Sequence, residues 1–368
     1  MDFGQINPVL LAASLMVAST PILLAALGEM VVEKAGVLNL GVEGMMITGA
    51  VVGFAVGVNT ASPGAGFVAA ALAGAGLSLV FALITQVLKS NQVATGLALT
   101  LFGLGLSSLI GKPYEGMKSA TLGKLPLPGL ADLPVVGPVL FQHDPMVYLS
   151  LLAVVLCWLF LGYSRAGLIL RAVGENHEAA HALGYKVVRV RVLAILFGGA
   201  MAGLGGAYVS LVRVPQWTEG MTSGAGWIAL AIVVFASWRT GWVLFGAYLF
   251  GGLTVLQLNL QAAGIALLAA LPWLLGALVP VSLLVALAKQ LPGRRFSLRK
   301  AGRWPLIFGA AAGAAWLLGL LTGFATGADT LLLTSSPYLV TILVLVVISM
   351  RGNHGAPGSL GRVFHASH

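Results

Sequence analysis

The chain has 368 residues, of which 58% are hydrophobic and only 8% charged, and its mean hydropathy is +0.98. A water-soluble domain of this length cannot hide so much apolar surface, so composition excludes a soluble enzyme or binding module and sets the class as a polytopic membrane protein. The net charge of +9 does not point to nucleic acid, because the basic residues fall in the polar segments between apolar runs, where topology places them.

Eleven apolar runs are candidate spans: 8–27, 44–58, 64–88, 91–110, 145–163, 192–212, 224–238, 241–260, 262–288, 305–328 and 331–350. They are continuous rather than alternating, which predicts helices and not a β-barrel. The predicted fold is an all-α polytopic membrane protein with about 10–11 transmembrane or re-entrant helices. Runs 44–58 and 224–238 are short for a crossing and are read as tilted, broken or re-entrant. Asp2 and the lack of Lys or Arg before the first run argue for a retained span over a cleaved signal. With the N-terminus outside, every Lys and Arg lies on the inner side except Lys112, Lys118, Lys124 and Arg213. The C-terminus is then cytoplasmic. The expected organisation is one transmembrane domain, 1–350, and a cytoplasmic tail, 351–368. The 49 glycines suit close helix approach in lipid, and the single Cys157, inside an apolar run, is read as a packed core residue.

In chain order, the first polar groups of interest are Asn39 and Glu43, in a Gly-interrupted stretch at the edge of run 44–58. An ionisable group there is costly in lipid and faces protein or water. It either closes a helix break by hydrogen bonding or walls a solute path. Asn91 and Gln92 open the next span and either cap it or line that path. The Pro- and Gly-rich loop 112–144 lies outside, as an ordered lid or docking surface. The segment 163–192 lies inside and is the most polar stretch between spans. Within it, Glu175, Glu178, Ala179 and Ala180, with Gly184 and Lys186 following, predict a short surface helix whose charges complement its dipole and which Gly184 ends. Such a helix is either a solvated loop or a coupling element seated on a cytosolic ATPase. Trp217 and Glu219 lie at the outer end of run 224–238. Trp217 is an interfacial anchor or a stacking platform, and Glu219 meets a partner or the path. The basic tract 289–304 faces anionic lipid.

No GxxxxGK[ST] loop occurs, so ATP must be hydrolysed on another chain. His177 and His181 are spaced to share a helix face, but no metal-ligand set surrounds them, and neither a metal nor a cofactor is expected. No nucleophile–base motif points to an enzyme.

The Glu178-Ala179-Ala180 segment with its following glycine resembles the cytosolic signature loop of ABC importer permeases. The stretch 28–50, GEMVVEKAGVLNLGVEGMMITGA, is similar to the N-terminal signature of permeases for nucleosides, simple sugars and, more distantly, branched-chain amino acids. Stretches 91–110, 167–210, 217–238 and 337–349 extend the resemblance. It implies an importer subunit in the bacterial cytoplasmic membrane, translocating nucleosides or related simple sugars. It also implies a cytoplasmic ABC ATPase bound at Glu175, Glu178, Ala179, Ala180 and Gly184, a second permease subunit, and an extracytoplasmic solute-binding lipoprotein. Asn39, Glu43, Asn91, Gln92, Trp217 and Glu219 are the candidate pathway residues. The chain departs from the family pattern at 265–336, read as an inserted helical hairpin. The alternative is a secondary transporter driven by an ion gradient, which needs intramembrane carboxylates; Glu43 is nearly the sole candidate.

Overall fold

In the computed structural model the described residues are 8–126, 128–262, 309, 313 and 355–364. They divide into two compact units, one holding 8–252 and 355–364, the other 253–262, 309 and 313. The expected spans 262–288, 305–328 and 331–350, the basic tract 289–304 and the expected hairpin 265–336 lie outside the described residues, apart from residues 262, 309 and 313.

Among the described residues ten α-helices follow one another: α1 (Pro8–Lys34), α2 (Val42–Thr60), α3 (Pro63–Ala82), α4 (Gln92–Gly111), α5 (Pro145–Tyr163), α6 (Arg165–Glu175), α7 (His177–Ala182), α8 (Val187–Tyr208), α9 (Ala225–Phe235) and α10 (Thr240–Ala262). Among the described residues seven helices are long and apolar enough to cross a membrane. Their starts are written in the sequence. Ser62, Asn91, Asp144, Ser164 and Asn176 each accept a backbone N–H from the first turn of α3, α4, α5, α6 and α7. These are the residue types whose short side chains reach the orphan donors of a helix start. Proline stands at the first position of α3 and α5, where its missing N–H costs nothing.

α2 is the central helix: 78% of its apolar window is buried, against 28% for α5. It runs 42–60 and is long enough to span, so the short run 44–58 is corrected; Glu43, Asn59 and Thr60 belong to the helix although their polarity trims the apolar run. α9 stays short, at 11 residues. At about 1.5 Å per residue it reaches only about half the hydrocarbon thickness. α2, α3 and α8 pack through glycine. A Cβ on Gly49 would stand 2.4 Å from the Cα of Gly203, and one on Gly206 would stand 1.9 Å from the Met46 carbonyl oxygen. Apolar side chains gain little from leaving lipid, so close backbone approach and dispersion hold such helices together. The outer faces of α3, α4 and α5 expose Leu72, Leu101, Phe102, Leu109, Leu152 and Trp158. That apolar surface is suited to lipid or to another membrane subunit and not to water.

Candidate coupling site

One end of the bundle carries α6, the small helix α7 and the described tail. Ser164 turns the chain out of α5, and its hydroxyl accepts the Gly167 N–H at 2.9 Å. Gly167 is required there, because a Cβ would meet the Phe160 carbonyl oxygen at 1.9 Å. α6 is amphipathic: Gly167, Leu170, Val173 and Gly174 are buried, on one helical face, while Arg165 and Leu168 are exposed. It lies flat against the end of α1, with Gly174 so close to the Lys34 carbonyl that a side chain has no room.

The expected single helix over 175–184 is broken. Glu175 closes α6, and α7 restarts at His177 because Asn176 is extended and its Oδ1 takes the Ala179 N–H at 2.9 Å. After Ala182 the chain reverses at Gly184, whose φ of +87° is left-handed; its N–H reaches the His181 carbonyl and the Tyr185 N–H reaches that of Ala180. α7 therefore has two faces. His177 and Ala180 point down, Ala180 packing with Val173, Val187 and Phe364. Glu178, Ala179, His181 and Gly184 are exposed, and Leu183 is 76% exposed. Glu178 lies in the first turn, where its charge suits the helix dipole.

Beneath this helix sits Arg191, fully buried near the start of α8. Its guanidinium donates to the Ala35 carbonyl at 3.2 Å and the Arg362 carbonyl at 3.0 Å, and stands 3.2 Å from His177 Nδ1. One side chain thus joins the end of α1, the tail and α7. Burial, then the Arg191 charge, holds His177 below the ordinary imidazole range, against a smaller opposing pull from Glu178. His177 is therefore the neutral acceptor for Arg191. Sequence reasoning counted Arg191 only as a topological charge and gave the tail no role. The signal it passed over was a cation placed after the first turn of an apolar helix, where burial demands partners.

The pathway candidates do not form one cluster. Asn39 is fully buried and folds its Oδ1 onto the Gly41 N–H at 2.9 Å. Gln92 accepts the Leu38 N–H at 2.8 Å and donates to the Arg362 carbonyl. Asn91 caps α4. Glu43, also buried, accepts from the Thr222 hydroxyl at 2.9 Å and from the Gly226 N–H at 2.7 Å, so its carboxylate stands at the N-terminus of α9. Trp217 is only 2% exposed and lies against Gly111 at the far end of α4; it is a packed core residue, not a surface anchor. Glu219 is exposed and accepts from Ser108. The loop 214–224 is what Glu43, Trp217 and Glu219 share. It is pinned in turn to the segment after α4, by bridges from Glu115 to Trp217 and from Lys118 to Gln216. Among the described residues no group of three or more His, Cys, Asp or Glu forms a metal site.

Comparison with known proteins agrees with this architecture. The family described as the permease component of the branched-chain amino acid transport system matches residues 11–288. The "Putative glucose ABC transporter permease protein" of Haloferax volcanii is 46% identical over 254 residues, 68% of this chain and 77% of its own. The guanosine ABC transporter permease protein of Bacillus subtilis is 34% identical over 267 residues, 68% of this chain and 82% of its own. The nucleoside ABC transporter permease protein of Lactococcus lactis is 29% identical over 258 residues, 67% of this chain and 81% of its own. No solved structure matches the chain. With a family match over most of its length and seven helices able to cross a membrane, the chain belongs to the branched-chain amino acid transport system permease family, and is a multi-pass membrane subunit of an ABC transporter rather than an enzyme.

Proposed function

We propose that the chain is the permease of an importer for a nucleoside or a related simple sugar, and that α7 is where a cytoplasmic ABC ATPase grips it. The relatives named for glucose, guanosine and nucleosides support a solute with a hydroxylated ring. The observation that carries the coupling reading is the two-faced α7. Its lower face is tied to α6, α8 and the tail, while Glu178, Ala179 and the turn through Gly184 are free to meet a partner. Glu175, itself exposed, accepts the Gly358 N–H on its carboxylate at 3.3 Å, and Ala180 supports the surface from beneath as a buried residue. Closure of two ATPase domains around nucleotide would move α7, and with it the ends of α1 and α8.

A short α9, held at its start by Glu43, supports a solute path along the loop 214–224, with Glu219 at its exposed edge. Asn39, Gln92 and Glu43 act as the polar seals that let the chain leave helix between α1 and α2. Alternating access needs a second permease around a shared path, and a solute-binding lipoprotein would deliver solute to the face bearing the 112–144 loop. The positive-inside distribution supports a cytoplasmic location for α7 and the tail in the bacterial cytoplasmic membrane. Membership of an ABC family sets aside the ion-gradient alternative.

The test is co-purification of the ATPase with a Glu178→Lys, Leu183→Glu double variant. The expected outcome is loss of the ATPase with membrane insertion intact. Retained assembly would contradict the coupling reading. A thermal-shift comparison of the binding protein with guanosine and with glucose assigns the solute.

A further inference from the structure

The segment 355–364 holds no helix, yet Gly358, Ser359, Gly361, Arg362 and Phe364 each meet other elements. Ser359 N–H donates to the Gly174 carbonyl at 2.8 Å, and its hydroxyl accepts the His177 N–H at 3.1 Å. Gly361 N–H donates to the Gly36 carbonyl at 3.3 Å. The Arg362 carbonyl receives both Arg191 and Gln92. Phe364 meets the rings of His177 and His181 edge-on, with centroids 5.4 and 5.2 Å away. Gly358 has no room for a side chain, since a Cβ would stand 2.6 Å from the Glu175 carbonyl oxygen.

These contacts reach α4, α6, α7, α8 and the turn after α1. Phe364 and Ser359 hold α7. Gly361 holds the turn after α1. Arg362 holds Gln92 at the start of α4, and Gln92 in turn holds the Leu38 N–H. Without the tail, α7 touches the rest of the bundle through α6, through Arg191 and through a small apolar patch. Arg191 already carries α7 to the Ala35 carbonyl at the head of the break between α1 and α2; the tail adds ties to Gly36 and, through Arg362 and Gln92, to Leu38 and the start of α4.

We propose that the tail is a transmission strap: Ser359 and Phe364 are positioning residues that make a displacement of α7 move the 35–41 segment and the start of α4. This rests on the reading of α7 as the ATPase contact. A loose end that merely covered α7 would not bridge to Gly36 and Gln92. Nor would it offer its own backbone groups to Gly174, Gly36, Arg191 and Gln92, because each such bond has to offset the entropy of ordering the tail.

The test uses the whole permease–ATPase complex and follows amide hydrogen exchange with and without a non-hydrolysable ATP analogue. In the wild type, nucleotide is expected to change protection both in α7 and at Leu38. In Phe364→Ala, α7 is expected to respond as before while the response at Leu38 falls several-fold. Phe364→Tyr, which keeps the edge-on ring, restores it. Ser359→Ala should weaken the same response and Ser359→Thr should keep it. A Leu38 response equal in wild type and Phe364→Ala overturns the strap and leaves the coupling reading standing. An α7 that ignores nucleotide in the wild-type complex overturns the coupling reading itself, and the strap with it.

Discussion

Replacing Arg191 by Met keeps most of the volume and removes every donor. The guanidinium serves three acceptors: the buried Ala35 carbonyl at 3.2 Å, the half-buried Arg362 carbonyl at 3.0 Å and the buried His177 Nδ1 at 3.2 Å. A hydrogen bond from a charged donor is worth about 1.5–3 kcal/mol net, and a buried acceptor left alone costs about 1–3 kcal/mol. Against this, Arg191 gives up its own desolvation cost, and the Arg362 carbonyl near the bundle end can recover water. A net loosening of about 2–3 kcal/mol in tail and α7 docking follows, which at about 1.4 kcal/mol per decade is roughly 30- to 140-fold in the docked-to-open ratio. The readout is hydrogen exchange at the Ser359 and Gly361 amides, whose carbonyl partners are Gly174 and Gly36. Arg191→Lys should recover only part, since one ammonium cannot span three acceptors arranged around a planar fork. Unchanged exchange at both amides in Arg191→Met would refute the idea that this side chain ties the tail to α1.

Two further outcomes test the packing and the titration. Gly206→Val places a Cβ 1.9 Å from the Met46 carbonyl oxygen and should cost about 1–3 kcal/mol or more by forcing α2 from α8. Gly105→Val, with nothing within 4 Å, should leave the unfolding temperature in detergent nearly unchanged. His177 is held below the ordinary imidazole range chiefly by burial, then by Arg191, with Arg362 adding and Glu178 opposing. The undocked state then binds the proton more readily. Tail docking should be full above the ordinary imidazole value of about 6.5 and should weaken as pH falls below it. Exchange at Ser359, corrected for the intrinsic rate, reads this, and His177→Asn should flatten the dependence; a slope unchanged by that substitution would contradict the assignment.

The helices were legible because apolar runs in a membrane chain leave few other choices. Their ends were not. The first run stops at Leu27 because Glu29 and Glu33 follow, yet α1 continues to Lys34 with both carboxylates 1% exposed. Glu33 accepts from the Trp238 ring N–H and Glu29 from the Asn39 N–H, so distant residues make the continuation affordable. The polarity of the segment 163–192 was visible, and Gly184 was read correctly as a stop by its freedom at positive φ. The break at Asn176 was less visible. A capping side chain there competes with helix continuation, and an alanine-rich pattern reads through it. For Asn39 and Gln92 the sequence left two explanations of polarity in a span, sealing a helix break or lining a path, and it could not show the partners that the structure gives them. The tail carries no periodicity, so nothing short of its contacts could show that it is anchored.

The most direct test exploits Cys157, the chain's single cysteine, which is 5% exposed within α5. In a Cys157→Ser, Leu183→Cys variant the only thiol sits on the outward side of the α7 turn. A membrane-impermeant maleimide is expected to label it in inside-out vesicles but not in intact cells, and bound ATPase is expected to protect it. Labelling from the extracytoplasmic face, or labelling in inside-out vesicles that the ATPase leaves untouched, would contradict coupling through α7.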